Sequence, residues 1–210
     1  ITPDAVAAWR SGDPEVTRNV ARPHGWVFVI PLADRTGTGY IHDATITSRA
    51  EVDLTASQVL TLNADASISV IDPRFGFGGE RLLSMVLLRS PGADWALPAD
   101  GGALFVSMPA SDKVAVVSTS TFQVAAEIDA GARPMRLALQ PDESYLWVTS
   151  GDGVPAERST VTVIAARDPG HRVAARIALG AGAHDIAFSD DSRTAFVTNK
   201  AAGTVSVIAV

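Results

Sequence analysis

The chain has 210 residues, a formal net charge of −6 and no cysteine, with a mean hydropathy of +0.19 and a sequence pI near 5.1. This is too apolar for a disordered segment and of the wrong sign for a phosphate-binding groove, and it excludes disulfides, thiolate metal sites, cysteine nucleophiles and covalent c-type haem attachment. The longest apolar run, Trp26 to Ala33, is eight residues, short of the about 20 that a membrane-spanning helix needs.

In chain order, the first residue is Ile1, and no charged segment followed by an apolar run opens the sequence. The expectation is a removed leader or an excised piece. Trp9 sits in an Ala-rich stretch, read as a short helix or a partner contact. Gly25-Trp-Val-Phe-Val-Ile-Pro31 reads as a strand, and residues 1–57 as a degenerate blade or an N-terminal extension that donates a ring-closing strand. His24 and His42 stand in this region. The dipeptide His42-Asp43 recurs as His184-Asp185, so the two are candidates to converge.

From residue 58 onward the chain repeats. Phe122 to Gly131 and His171 to Gly180 match at five of ten positions with an offset of 49, and the alignment continues without a gap to Ser150 and Asn199. A fainter copy lies 42 residues earlier, with Glu80 to Arg89 under Phe122 to Gly131. Each unit predicts four short strands. The first is apolar and runs into a polar turn, ALPADGG, ALQPDES or AFSDDSR, whose Pro, Asp and Gly suit tight turns. The second holds Leu104-Phe-Val, Leu146-Trp-Val or Ala195-Phe-Val. The third alternates with period two at Ile68/Val70, Val114/Val116, Val161/Val163 and Val205/Val207, which predicts one buried face and one facing water or a polar layer. The fourth is the VAAEI or VAARI segment. Trp26, Trp95 and Trp147 are read as core, and Asp100, Asp142, Asp190 and Asp191 as turn residues.

Four strands in each 40–50 residues is the sequence pattern of a β-propeller blade. The chain is therefore expected to be all-β, with four to five blades. Thr194-Ala-Phe-Val-Thr-Asn-Lys-Ala-Ala-Gly-Thr-Val-Ser-Val-Ile208, together with Leu146-Trp-Val-Thr-Ser150 and Gly131-Ala-Arg-Pro134, resembles YVTN-type propeller repeats across residues 58–210. That family is similar to the haem d1 propeller of cytochrome cd1 nitrite reductase and to quinohaemoprotein and amine dehydrogenase propellers. The resemblance implies a ring of seven or eight blades, more than the chain supplies; a five-bladed ring is the alternative. Remaining blades, or a protein partner, are expected to complete the ring.

The loops joining strand four to strand one (Arg89–Asp94, Gly131–Arg136, Gly180–Asp185) and the long loop Gly151–Ser159 between strands two and three should share one end of the ring. That end is the candidate binding face; the structural alternative is a loop that merely tolerates insertion. By resemblance, His184 and Arg136 are the candidate cofactor-binding residues, toward a haem d1-like group; the alternative is that His184 caps a turn or bonds Asp185. His171, at the opposite end, is expected to be solvated. Asn63-Ala-Asp65-Ala-Ser67 has the alternating oxygens of a calcium loop, without its Gly and distal Glu. The sequence holds no nucleophile elbow, P-loop or dinucleotide fingerprint and no paired-His ligand spacing. The functional expectation is a non-catalytic, YVTN-like scaffold subunit, periplasmic or secreted, in a larger assembly. The alternatives are a haem d1-like or quinone-dependent oxidoreductase and a metal-dependent, lactonase-like hydrolase.

Overall fold

The computed structural model describes the backbone of three strands within residues 18–42, and then residues 58–76, 79–151 and 153–210. The chain divides into two units, Ile1–Val86 and Leu87–Val210. All regular elements described are β-strands apart from two single-turn 3-10 helices, Pro109–Ser111 and Ala156–Arg158.

The first unit holds two antiparallel three-stranded sheets. One is β1 (Arg18–Arg22), β2 (Gly25–Pro31) and β3 (Thr36–His42), with Trp26 opposite Ala21 and Ile41. The other is β4 (Val59–Leu62), β5 (Ser67–Gly76) and β6 (Gly79–Leu87), β6 ending at the junction of the units. Ile68 and Val70 of β5 are fully buried. The expected strand at 25–31 is present; Trp9 and His24 lie outside the described residues, and nothing is described of the His42 side chain.

The second unit is a series of blades. The sheet β7 (Asp94–Ala96), β8 (Ala103–Met108), β9 (Lys113–Ser118) and β10 (Gln123–Asp129) is followed by β11 (Pro134–Leu139), β12 (Tyr145–Ser150), β13 (Thr160–Ala165) and β14 (Val173–Ala178). The last sheet is β15 (Ala183–Phe188), β16 (Thr194–Asn199) and β17 (Thr204–Ala209). Within each sheet the strands run in chain order and pair antiparallel. The first strands of successive sheets, β7, β11 and β15, pack on one another and form the inner edge of the series.

The hydrophobic code follows from the two-residue period of a strand. Leu146 and Val148 of β12 point one way and Trp147 the other. Phe105, Val114, Val116, Ile128 and Ala130 of the β7–β10 blade meet Leu137, Leu146, Val148, Ile164 and Ala166 of the next. Trp147, Val161 and Val163 then meet Ala183, Ala195 and Val197. The β11–β14 blade is thus covered on both faces, and this corrects the expectation of a polar outer face for strand three. In β9, Ala115 and Val117 are as buried as Val114 and Val116. In β13 the intervening Thr162 is fully buried because its Oγ1 donates to the Ala130 carbonyl of the preceding blade at 2.8 Å, which satisfies a hydroxyl that would otherwise cost about 1–3 kcal/mol to bury.

The turns read as expected. The Oδ1 atoms of Asp100, Asp142 and Asp191 accept the N–H of Gly102, Ser144 and Arg193 at 3.0, 2.9 and 3.1 Å, a two-residue reach that closes each hairpin. Trp147 is 2% exposed and its ring meets Phe188 edge-on, centroids 5.5 Å apart, while Trp95 is only half-buried.

Candidate functional site

The blades are joined at the inner edge by a repeated polar clip. Ser107 Oγ donates to the Met135 carbonyl of the next blade at 2.9 Å, and Thr149 Oγ1 donates to the His184 carbonyl at 2.9 Å. Both hydroxyls are fully buried. Asp94, Arg136 and Asp185 occupy one register, against Ser107, Thr149 and Thr198 of the adjacent strand. Asp94 Oδ1 accepts the N–H of Trp95 at 3.0 Å, and its Oδ2 accepts the N–H of Leu137 in the next blade at 3.0 Å.

The loops expected to share this end do so. The Arg133 N–H donates to Asp112 Oδ1 at 2.8 Å, and the Arg133 carbonyl accepts the Gly151 N–H at 2.7 Å. One four-to-one loop therefore bridges two two-to-three loops. Gly151 is required here: a Cβ would lie 2.1 Å from Met135 Cγ, so Met135 folds over the start of the long loop, which closes with the 3-10 turn Ala156–Arg158.

His184 and Arg136 both lie at this end, on β15 and β11 of adjacent blades. Arg136 is exposed and His184 half-buried. No hydrogen bond or ion pair joins them among the described residues. The imidazole of His184 carries no hydrogen bond of its own there, so it neither caps a turn nor bonds Asp185; the polar contact it makes is through its main-chain carbonyl.

A cleft of about 420 Å³ opens at the opposite end, lined by Asp100 and Ala103 after β7, Glu143 after β11, and Arg167 and His171 after β13. Its carboxylates are engaged in holding turns together. Glu143 Oε1 accepts the Ala99 N–H at 2.7 Å, across two blades, and Oε2 lies 3.6 Å from Arg167 Nη2. His171 is not solvated as expected. Its backbone sits at φ +44°; the ring meets Phe105 edge-on at 5.2 Å, and Nδ1 is buried without a hydrogen-bond partner. The neighbouring Asp168 carboxyl is held below its ordinary value, first by the Gly170 N–H and then by Arg172.

The sequence pattern left one repeated device unread. Asn199 Nδ2 donates to Thr204 Oγ1 at 3.1 Å and Ser206 Oγ at 2.8 Å, pinning strand three to the end of strand two. Asn63 does the same with Ser67 at 2.9 Å and Ser69 at 2.8 Å. Leu-Thr-Leu-Asn63 is therefore a copy of Phe-Val-Thr-Asn199, and the signal was the terminal Asn followed by hydroxyls at alternate positions. Asp65 Oδ1 accepts the Ser67 hydroxyl at 2.6 Å, so these oxygens serve the hairpin, and no group of three His, Asp or Glu among the described residues is placed to hold a metal ion.

These features define a β-propeller repeat protein: antiparallel blades in sequence order, inner first strands, and greasy blade-to-blade faces. No family model and no curated protein matches the chain. Solved structures do. Kuenenia stuttgartiensis hydrazine synthase is 20% identical with a TM-score of 0.58, over 74% of this chain and 47% of that one. Two proteins provisionally assigned as 6-phosphogluconolactonases, from Bacteroides uniformis and Bacteroides fragilis, are 11% and 10% identical with TM-scores of 0.60 and 0.57. Each of these covers 91% of this chain and 70% or 69% of the other. The chain thus spans about half the length of the hydrazine synthase chain it matches. At such identities the likeness establishes the propeller-type fold and leaves the chemistry open.

Proposed function

We propose that the chain is a non-catalytic propeller module, exported to the periplasm or beyond, that serves as a binding and scaffold subunit of a larger assembly. One observation carries this reading. Val205 and Val207 of the last sheet are 58% and 67% exposed, whereas Val161 and Val163, in the same register one blade earlier, are 0% and 6% exposed. Phe196 is 40% exposed where Trp147 is 2%. An aromatic and two valines aligned on one sheet face form a surface that water covers poorly and that remaining blades of the ring or a protein partner would cover well. The test is the native size of the epitope-tagged chain in its source cells, by sedimentation and native electrophoresis of periplasmic and medium fractions. Migration well above the mass that the same tagged polypeptide shows when denatured supports the reading, and a free monomer in every fraction refutes it.

A second reading is an oxidoreductase propeller carrying a haem d1-like or quinone group. It is supported by the location of His184 and Arg136 at one end of adjacent inner strands. Two observations support it: the His184 imidazole has no hydrogen bond among the described residues, and Arg136 is exposed. His184 would supply a nitrogen to the group and Arg136 would meet its carboxylates, the electron-transfer chemistry being the group's own. A visible absorption spectrum of the protein purified from its source decides it, since a trace featureless above the protein band removes the reading.

A further inference from the structure

We propose that the cleft between the turns of the β7–β10 and β11–β14 blades, at the end remote from His184 and Arg136, binds a small zwitterion of the amino-acid class. Its carboxylate would meet Arg167, and its ammonium the second carboxylate oxygens of Asp100 and Glu143, beside the imidazole of His171. The site is independent of the assembly reading above: a chain that is monomeric in its source cells can carry it equally.

His171 is the odd residue of its repeat. It stands where the preceding unit has Phe122, and the backbone is alike in both, at φ +44° and +51°. The position therefore suits an aromatic ring, and here the ring meets Phe105 edge-on, centroids 5.2 Å apart. A phenyl ring would bury no polar atom there. The imidazole encloses Nδ1 without a hydrogen-bond partner, which forfeits stability that a phenyl ring would keep. Such a departure from the locally favoured residue is typical of positions that serve a ligand. The ring lines the cleft, and Nε2 bonds nothing among the described residues.

Charges of both signs surround the ring. The β7–β10 blade presents Asp100, whose Oδ1 is committed to the Gly102 N–H and whose Oδ2 bonds nothing among the described residues. Glu143 uses Oε1 on the Ala99 N–H and leaves Oε2 3.6 Å from Arg167 Nη2. The pairs Arg89–Glu127, Arg172–Asp168 and Arg176–Asp129 close to 2.7, 2.8 and 2.9 Å, so Arg167 is the loosely held arginine. Its side chain is 69% exposed, and turning it to a ligand gives up little. Pro98, Ala103 and Ala166 supply the apolar part of the lining. A simple anion would meet Arg167 but also two carboxylates, and a simple cation would meet the carboxylates but also Arg167. A molecule that carries both signs on a short apolar stem complements every group. At about 420 Å³ the cleft falls within the usual range of small-molecule sites.

The experiment titrates the 210-residue chain with free glycine, β-alanine and γ-aminobutyrate, and with n-butylamine and butyrate as single-charge controls, by calorimetry and by the ring-proton resonances of His171. At least one zwitterion should bind roughly tenfold or more tightly than either control and shift those resonances. Arg167→Gln should weaken that binding by roughly tenfold or more, and so should Asp100→Asn, which keeps an oxygen for the Gly102 N–H. His171→Phe restores the aromatic of the repeat, so it should melt no lower than the original chain and still lose affinity by a similar factor. A histidine that only packs would leave the affinity untouched, and that result overturns its part in the site. The proposal as a whole falls if no zwitterion gives heat or shifts up to about 20 mM. It falls equally if a single-charge control binds as tightly as the zwitterions, or if binding survives all three substitutions.

Discussion

Val161 and Val205 are the same residue in the same register of successive blades, one sealed and one open, so truncating each to alanine measures what the next blade contributes. Val161→Ala removes two methyl groups from a site with no exposure. At about 0.8 kcal/mol per buried carbon, plus the cavity left under Ala183 and Val197, the loss is about 2–3 kcal/mol. Val205 is already 58% exposed, so Val205→Ala forfeits less than half the transfer energy and leaves no enclosed cavity, about 0.5–1 kcal/mol. For a chain of this size the melting points should fall by roughly 5–10 °C and about 2 °C respectively. Urea and thermal unfolding of both variants, followed by circular dichroism, give the comparison. Equal losses at the two sites would refute the claim that blade-to-blade burial carries the stability.

Three further outcomes are expected. Ser107→Ala removes the hydroxyl that bonds the Met135 carbonyl and the Asp94 N–H at a buried joint and should cost about 1–3 kcal/mol in urea unfolding, with Ser107→Thr recovering part of it. Gly182→Ala combines a backbone at φ +75° with a new Cβ 2.7 Å from the Ala201 nitrogen, so it should destabilise by at least about 1–2 kcal/mol, whereas Gly101→Ala, also at positive φ but in open space, should pay only the backbone part. Asp168 and Asp191 are held below the ordinary 3.8, Asp168 first by the Gly170 N–H and then by Arg172, Asp191 first by the Ser189 hydroxyl and then by the Arg193 N–H. Depressed folded values mean their contribution is complete above about pH 4 and is lost as the pH falls through the folded values. The urea midpoint should therefore drop on acidification below that point, and drop less steeply in the Asp168→Asn, Asp191→Asn double variant.

The blade pattern was legible because its causes are local: Asp-rich turns at fixed offsets, and valines alternating along strand three. The 49-residue offset correctly aligned β10–β12 with β14–β16. What the sequence could not convey was enclosure. Thr162 and Ala115 read as the polar or neutral side of a half-buried strand, yet a stacked neighbour covers them, and only a hydrogen bond formed with the preceding blade makes the threonine tolerable there. His171 reads as a solvated loop residue because nothing local signals a positive φ at a non-glycine position. Its burial depends on Phe105, far away in sequence. Arg136 and His184 lie near the starts of β11 and β15, but the neighbouring hydroxyls that organise this end, Ser107 and Thr149, carry no motif and became visible only through their cross-blade bonds. Asn63 reads as part of a calcium-loop-like run, and its hairpin role went unread because its strand keeps only the asparagine of the Phe-Val-Thr-Asn pattern.

The placement of the cores between sheets, rather than inside any one of them, has a mechanical corollary. Such a stack resists peeling only as well as its outermost joint, and β15–β17 is gripped from one side, by Trp147, Val161 and Val163, while β11–β14 is gripped from both. In a chain of these 210 residues, loosening should therefore reach β15–β17 before β11–β14. A protease offered the folded protein would nibble there first, releasing whole layers in order instead of scattered fragments.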